Sequence, residues 1–233
     1  MKEIELKNIY LGENDGKKES VYKSDFEKFF MDIDKISEKV KEKKYFVILG
    51  RKGSGKTYFA QYIKKTSDSD PLHFCDVKSY KDFKFQELVQ LKSGDITPNE
   101  YYEIWRWLIL LDLAKLCLLD QGIPNSEAKN KLLTFFDANY KSLEIDAKKV
   151  VEITKKEQIR GGFLKSFVDL TDAQKAEEGS YLDYIDNLEN VVLELLSNSR
   201  SSYTTIYDEL DDRFRDDEYY RNSIISLLKA ADH

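Results

Sequence analysis

Residues 45–63 read YFVILGRKGSGKTYFAQYI. An apolar run enters three glycines set among basic residues, and a Lys-Thr pair opens a segment of helical spacing. The chain of 233 residues has only 10 glycines, yet three of them stand at 50, 53 and 55. Glycine loses more backbone freedom on folding than any other residue. Such a cluster therefore marks a place where backbone must come close to something. YFVIL is continuously apolar and β-rich, which reads as a strand buried on both faces. Residues 57–65 read as the helix that follows, DSDP as a turn, and LHFCDVK at 72–78 as a second strand. Strand, loop, helix and strand in that order predict a parallel sheet with a crossover helix.

The residues between strand and helix say what the backbone approaches. GRKGSGKT at 50–57 satisfies G-x-x-x-x-G-K-[ST] in full. Gly50, Gly53 and Gly55, with the backbone of Arg51, Lys52 and Ser54, let successive N–H groups curl around phosphate oxygens. A helix beginning near Gly55 adds its unsatisfied amides and the positive end of its dipole. Lys56 brings a point charge to the β and γ phosphates. The Thr57 hydroxyl suits Mg²⁺, which takes few protein ligands and keeps several waters. Tyr58 closes the run 50–58 assigned to nucleotide binding. Average residue usage produces such an octapeptide by chance in roughly one chain of this length in a hundred, and the strand-loop-helix context lowers that further.

Working outward, Phe26, Phe29, Phe30, Ile33, Ile36 and Val40 fall at helical spacing and predict a helix over 24–41. Beyond the second strand the pattern is mostly helical. The strongest segment is 98–120, with Thr97 as cap and Pro98 at the first helical position. Trp105 and Trp107, two apart, face different sides of it, one read as core and the other as a contact surface. Helices are also read over 126–136, 147–153 and 181–196. The Gly-Gly pair at 161–162 permits a short hairpin between VVEIT and FLKSFVDL. SYTTIYDELDD at 202–212 reads as a third strand with an acidic end, and 219–231 as a closing helix. Period-2 geometry sends Asp208 and Glu209 in different directions, so that Asp208 can face Mg²⁺ while Glu209 faces a water beyond the γ-phosphate.

Composition narrows the classes. The chain is 41% hydrophobic and 34% charged, with 15 Tyr and 13 Phe, a globular balance. A net charge of −6 gives no global attraction to nucleic acid or anionic membranes. Lys148, Lys149, Lys155, Lys156, Arg160 and Lys165 form a local basic stretch read as a solvated face, with nucleic-acid contact the minority reading. The longest apolar run, 107–120, is broken by Asp112 and Lys115, so no membrane span is expected. No secretory signal is read at the N-terminus. Cys75 and Cys117 sit in apolar surroundings and read as buried thiols of a cytoplasmic protein. With His73 and His233 the only histidines, a His-rich metal site and a Ser-His-Asp triad are set aside.

GRKGSGKT followed much later by IYDELDD resembles the Walker A and Walker B motifs of the additional-strand, catalytic-glutamate class of P-loop NTPases. Within that class the chain is similar to bacterial ATPases of the KAP and STAND kind, which carry large helical insertions and an acidic LDD or LDR tail. The lead LGENDGKKES, the helices SDFEKFFMDIDKI and YYEIWRWLILL, and the closing SIISLLKAADH add to the likeness. The resemblance implies an α/β fold: a three-layer P-loop NTPase core with a parallel sheet and a large, mainly helical insertion. It divides the chain into 1–80 (lead and P-loop half), 81–200 (insertion) and 201–233 (Walker B strand and closing helix). It implies ATP and Mg²⁺ as ligands, Lys56 and Glu209 as catalytic, Thr57 and Asp208 at the metal, and a lead at 8–15 near the adenine.

The implied activity is ATP hydrolysis or an ATP-driven conformational switch, in defence against phage or plasmids, with a second copy or another protein as partner. Two departures are expected to matter. Lys56 and Asp208 are 152 positions apart, and only three sheet strands are read where the class order 5-1-4-3-2 has five. A fragment or truncated form is the expected reason. The alternative is a nucleotide-gated interaction module that binds ATP without appreciable hydrolysis. A GTPase finds only TKKE at 154–157, before the acidic strand and with Glu in place of Asp, and a small-molecule kinase lacks an Arg-rich lid.

Overall fold

The computed structural model describes residues 16–22, 28, 30–44, 46–79, 98–140, 143, 159–160, 178–179, 182–210 and 218–232. The chain divides into two compact units, Met1–Pro71 and Leu72–His233.

The first unit holds α1 (Gly16–Tyr22), a 3-10 turn (Ile33–Lys35), α2 (Ile36–Lys41) and α3 (Lys56–Asp68). Ala60, Ile63 and Ser67 form the buried stripe of α3 at helical spacing, and the Ser67 hydroxyl donates to the Ile63 carbonyl at 2.7 Å. Helix α1 lies against α3. A Cβ at Gly16 would come within 3.0 Å of the Tyr58 backbone, and Lys65 Nζ donates to the Ser20 carbonyl at 3.1 Å.

Two expectations fail in this unit. The helix predicted over 24–41 is broken where described: Asp34 and Lys35 take left-handed backbone, with φ of 60° and 55°. The Asp32 carboxylate accepts from the Ser37 hydroxyl and, at 3.2 Å, from the Ser37 amide. This local side-chain capping starts α2 afresh rather than letting a helix run through. Residues 23–27 and 29 lie outside the described residues. The strand read at YFVIL is also absent: 46–50 have no regular structure, and Phe46 is 62% and Leu49 89% exposed. A strand exists only by pairing, and among the described residues of this unit there is no other strand to pair with.

The second unit is built from β1 (His73–Ser79), α4 (Pro98–Leu119), α5 (Glu127–Tyr140), β2 (Ile159–Arg160), β3 (Glu178–Gly179), α6 (Leu182–Ser197), β4 (Ser202–Asp208) and α7 (Glu218–Asp232). Strands β1 and β4 pair in parallel, from His73 beside Ser202 to Ser79 beside Asp208. Parallel partners need a crossover, here supplied by the helical stretch between them. The α/β class is thus present as helices around a two-stranded parallel sheet, with the second and third of the expected strands paired. Strands β2 and β3 form a separate antiparallel pair. The predicted helix at 147–153 and the arms VVEIT and FLKSFVDL lie outside the described residues.

Helix α4 is the centre of this unit. It packs against α5, α6, α7, β1 and β4, and its buried residues run round much of its circumference, from Tyr101 and Ile104 to Ala114 and Cys117. This corrects the reading of the tryptophans. They do face different sides, yet both are 1% exposed, because both sides of α4 are covered. Trp105 meets Tyr207 edge-on at 5.9 Å, and its Nε1 donates to the Ser223 hydroxyl at 3.3 Å. Trp107 meets Phe135 edge-on at 5.9 Å.

At the far end of α4, the Asp120 carboxylate accepts from the Tyr203 hydroxyl at 2.6 Å, the Ser199 hydroxyl at 3.0 Å and the Gly122 amide at 2.7 Å. Burial acts to raise this carboxyl, but the hydrogen bonds from Tyr203, Gly122, Ser201 and Ser199 outweigh it and hold it below the usual range.

Both cysteines are free and buried. Burial beside the Asp120 charge pushes the Cys117 thiol up to about 12. The thiolate is the reactive form. Native protein at pH 8 is therefore expected to leave Cys117 unmodified by a thiol-reactive chromophore over hours and to react fully in denaturant. Rapid modification of Cys117 in native protein would contradict the buried placement of α4.

Candidate functional site

The glycine loop has the shape its residue types require. Gly53 and Gly55 take φ of 83° and 90°, backbone that side chains with a Cβ rarely adopt. A Cβ at Gly50 would meet the Ser54 hydroxyl oxygen, which an exposed serine can turn aside, so it is the backbone of Gly53 and Gly55 that demands glycine. The Ser54 amide donates to the Arg51 carbonyl at 3.0 Å, closing the bend, and the helix ladder begins with the Phe59 amide on the Gly55 carbonyl at 2.8 Å. Amides before that point stand outside the ladder. The first turn of α3 carries no acidic residue, so the positive end of the helix dipole is not neutralised from within.

Lys56 folds back over this bend. Its Nζ donates to the Gly50 carbonyl at 2.8 Å and the Arg51 carbonyl at 3.3 Å. The ammonium is thus held across the mouth of the loop by two carbonyls that a phosphate oxygen could replace as partners. Residues 51–55 are exposed, and Lys56, Thr57 and Tyr58 half-buried. The donor set, a concave run of backbone with three basic side chains (Arg51, Lys52 and Lys56), fits a polyphosphate chain. The lead at 8–15 lies outside the described residues.

Asp208 and Glu209 belong to the other unit. Asp208 ends β4, is buried and turns its Oδ1 back to accept the Glu209 amide at 2.8 Å. Glu209 follows at φ 59°, a left-handed conformation that costs an L-residue about 1–2 kcal/mol. Strain of this kind gathers at sites where a side chain must be aimed. Both residues lie at the carboxyl end of a parallel strand pair, where open α/β sheets bind their ligands.

Sequence reading missed one member of this strand end. The Ser79 hydroxyl donates to the Glu209 carboxylate. Ser79 ends β1 and stands directly beside Asp208 in the register. Ser79 and Glu209 are 130 positions from each other in sequence, and only a parallel alignment of the two strands could have signalled the pair.

Among the described residues, no group of three or more His, Cys, Asp or Glu side chains gathers as a metal site. Thr57 offers a hydroxyl and, in the other unit, Asp208 offers a carboxylate; each is by itself a donor type that Mg²⁺ takes. Asp211 and Asp212 lie outside the described residues. Among those described, no helix is long and apolar enough to cross a membrane. Compared with known proteins, the chain matches no family profile, no curated protein and no solved structure.

Proposed function

We propose that the chain binds ATP through residues 50–58 and couples it, with Mg²⁺, to hydrolysis or to a conformational switch. The observation that carries this reading is the loop itself. Two glycines hold left-handed backbone, an ammonium lies across the bend, and a helix N-terminus free of acidic residues stands behind it. The likeness to additional-strand, catalytic-glutamate P-loop ATPases supports the reading, as does the parallel pairing of β1 with the acidic strand β4.

In this proposal Mg²⁺, when bound, neutralises charge on the β and γ phosphates, and Thr57 and Asp208 are the residues assigned to hold it. Lys56 leaves its two carbonyls for phosphate oxygens. Glu209 orients and deprotonates the attacking water. A second copy of the chain or another protein would read out the bound state.

One observation favours a second reading, in which ATP is bound without appreciable hydrolysis. The Glu209 carboxylate already accepts the Ser79 hydroxyl, which competes with a water for the same oxygen. Steady-state ATP turnover of the wild type and Glu209→Gln separates the two. Hydrolysis predicts a drop of roughly tenfold or more in the variant, since a general base contributes at least that much, with ATP affinity kept within about twofold. Equal turnover in both proteins, with ATP bound by both, leaves the interaction module. No binding by either overturns the proposal.

A further inference from the structure

Helix α7 (Glu218–Asp232) carries large aliphatic side chains away from the core as well as toward it. Its inner face packs on α4 and is closed by Ser223, Ser226, Leu227 and Ala230, with the Ser223 hydroxyl accepting from Trp105. On the outer face Ile225 is 50% and Leu228 38% exposed. A helix with only its own core to pack on buries its large aliphatics before its serines. In α7 two serines are inside and two large aliphatics outside, which marks the outer face as a second contact surface.

The outer residues follow one line. Arg221, Ile225, Leu228 and Asp232 are all exposed and stand four, three and four positions apart. That alternation keeps side chains on the stripe by which one helix meets another. The stripe is apolar at its middle, with a cation at its amino end and an anion at its carboxyl end. Its ends are evenly placed: Arg221 precedes Ile225 by as many residues as Asp232 follows Leu228. Turned end for end, such a stripe is its own complement.

We propose that α7 pairs antiparallel with α7 of a second copy of this chain, about a two-fold axis lying between Ile225 and Leu228. Ile225 of each copy meets Leu228 of the other, and Arg221 of each copy meets Asp232 of the other, as a two-fold contact demands. A parallel pair would set Arg221 against Arg221 and Asp232 against Asp232, so charge selects the antiparallel direction. Arg221 also has an interaction within its own chain; five guanidinium donors let it keep that and meet a second carboxylate. The flanks of the stripe agree. Ile224 comes beside Ala231 of the other copy and Asn222 beside Lys229, apolar with apolar and polar with polar. The inference stands apart from the nucleotide reading.

Dimer formation follows mass action, so the test is sedimentation equilibrium of the full chain from about 1 to 500 µM, without nucleotide. Helix α7 has 15 residues and is about 22 Å long. For so small a contact the expected dissociation constant is about 10–100 µM. Ile225→Gln with Leu228→Gln, both on the surface, should raise it about tenfold or more and leave the unfolding midpoint unchanged. Arg221→Glu and Asp232→Arg should each weaken association about tenfold when alone, since each sets like charges against one another. Mixed in equal amounts, these two variants should form a heterodimer as tight as the wild type. The introduced carboxylate then faces the introduced guanidinium, and the retained Arg221 faces the retained Asp232. A variant that failed to fold could not complement, so the mixture also reports on folding. A wild type that stays monomeric across the range overturns the proposal. So does a dimer that the double glutamine variant leaves intact, or a mixture no tighter than either single variant.

Discussion

Lys56→Ala is expected to weaken magnesium-dependent ATP binding about a hundredfold, as read by titration calorimetry. The ammonium donates to the Gly50 and Arg51 carbonyls, neutral acceptors that a doubly charged phosphate would outcompete. A hydrogen bond to a charged group contributes about 1.5–3 kcal/mol, and two such bonds to phosphate oxygens amount to about 3–6 kcal/mol. Part of that is returned because the two carbonyl contacts are given up, about 2 kcal/mol, which leaves a loss of roughly a hundredfold from the middle of the range. Lys56→Arg should not rescue it, because a planar fork suits two aligned acceptors while this position calls for a compact point charge. The fold is the control. Lys56 is half-exposed and its carbonyl partners are exposed, so the unfolding midpoint of Lys56→Ala should move by no more than about 0.5 kcal/mol. Equal affinity in variant and wild type would end the phosphate reading.

How much of this could be read from the residues alone follows from how far apart the interacting groups are. The loop was legible because its requirements are local: Gly53 and Gly55 are demanded by their own φ, and Lys56 folds back on carbonyls only five and six residues before it. The helices over Lys56–Asp68, Leu182–Ser197 and Glu218–Asp232 were legible from apolar spacing, and Pro98–Leu119 from its proline start and its long apolar run. FVIL was misread because an apolar β-rich run reports a capacity to pair, and pairing depends on strands elsewhere. The break at Asp34 was missed because the apolar period runs straight through it, while the Asp32 side chain capping Ser37 overrides the period. For Trp105 and Trp107 the period gave the correct directions. Nothing in it could say that α5 covers one side of α4 while β4 and α7 cover the other. Ser79 on Glu209 was out of reach for the same reason.

The acidic strand end has a foundation that the sequence also hid, and its removal carries the other large expected effect. Lys78 and Tyr207 are register partners across β1 and β4, each one residue before the pair Ser79 and Asp208. Both converge on Asp112 of α4: Lys78 forms an ion pair with its Oδ1, and the Tyr207 hydroxyl donates to its Oδ2 at 2.7 Å. One helical turn on, Lys115 pairs with Asp76 of β1 at 3.0 Å. Burial raises the Asp112 carboxyl; the Lys78 charge and the two hydrogen bonds pull it back, the Asp76 charge pushes it up again, and the balance stays above the usual range.

Lys78→Met should therefore destabilise the protein by about 3–5 kcal/mol in urea unfolding, the cost of leaving a buried charge without its partner. The pH dependence has a definite sign. A carboxyl whose folded value lies above its unfolded value, about 3.9, contributes stability in full below the unfolded value and loses it as pH rises through the folded one. Removing Lys78 raises the folded value further, so the deficit of Lys78→Met against wild type should be larger at pH 7 than at pH 5. Adding Asp112→Asn keeps an acceptor for Tyr207 but cannot ionise. The double variant should recover most of the lost stability and show the same deficit at both pH values. A Lys78→Met deficit that is equal at pH 5 and pH 7 would mean that Asp112 is not the charge left behind. The strand ends carrying Ser79, Asp208 and Glu209 would then owe their position to packing by Trp105 and Tyr207 rather than to this ionic clasp.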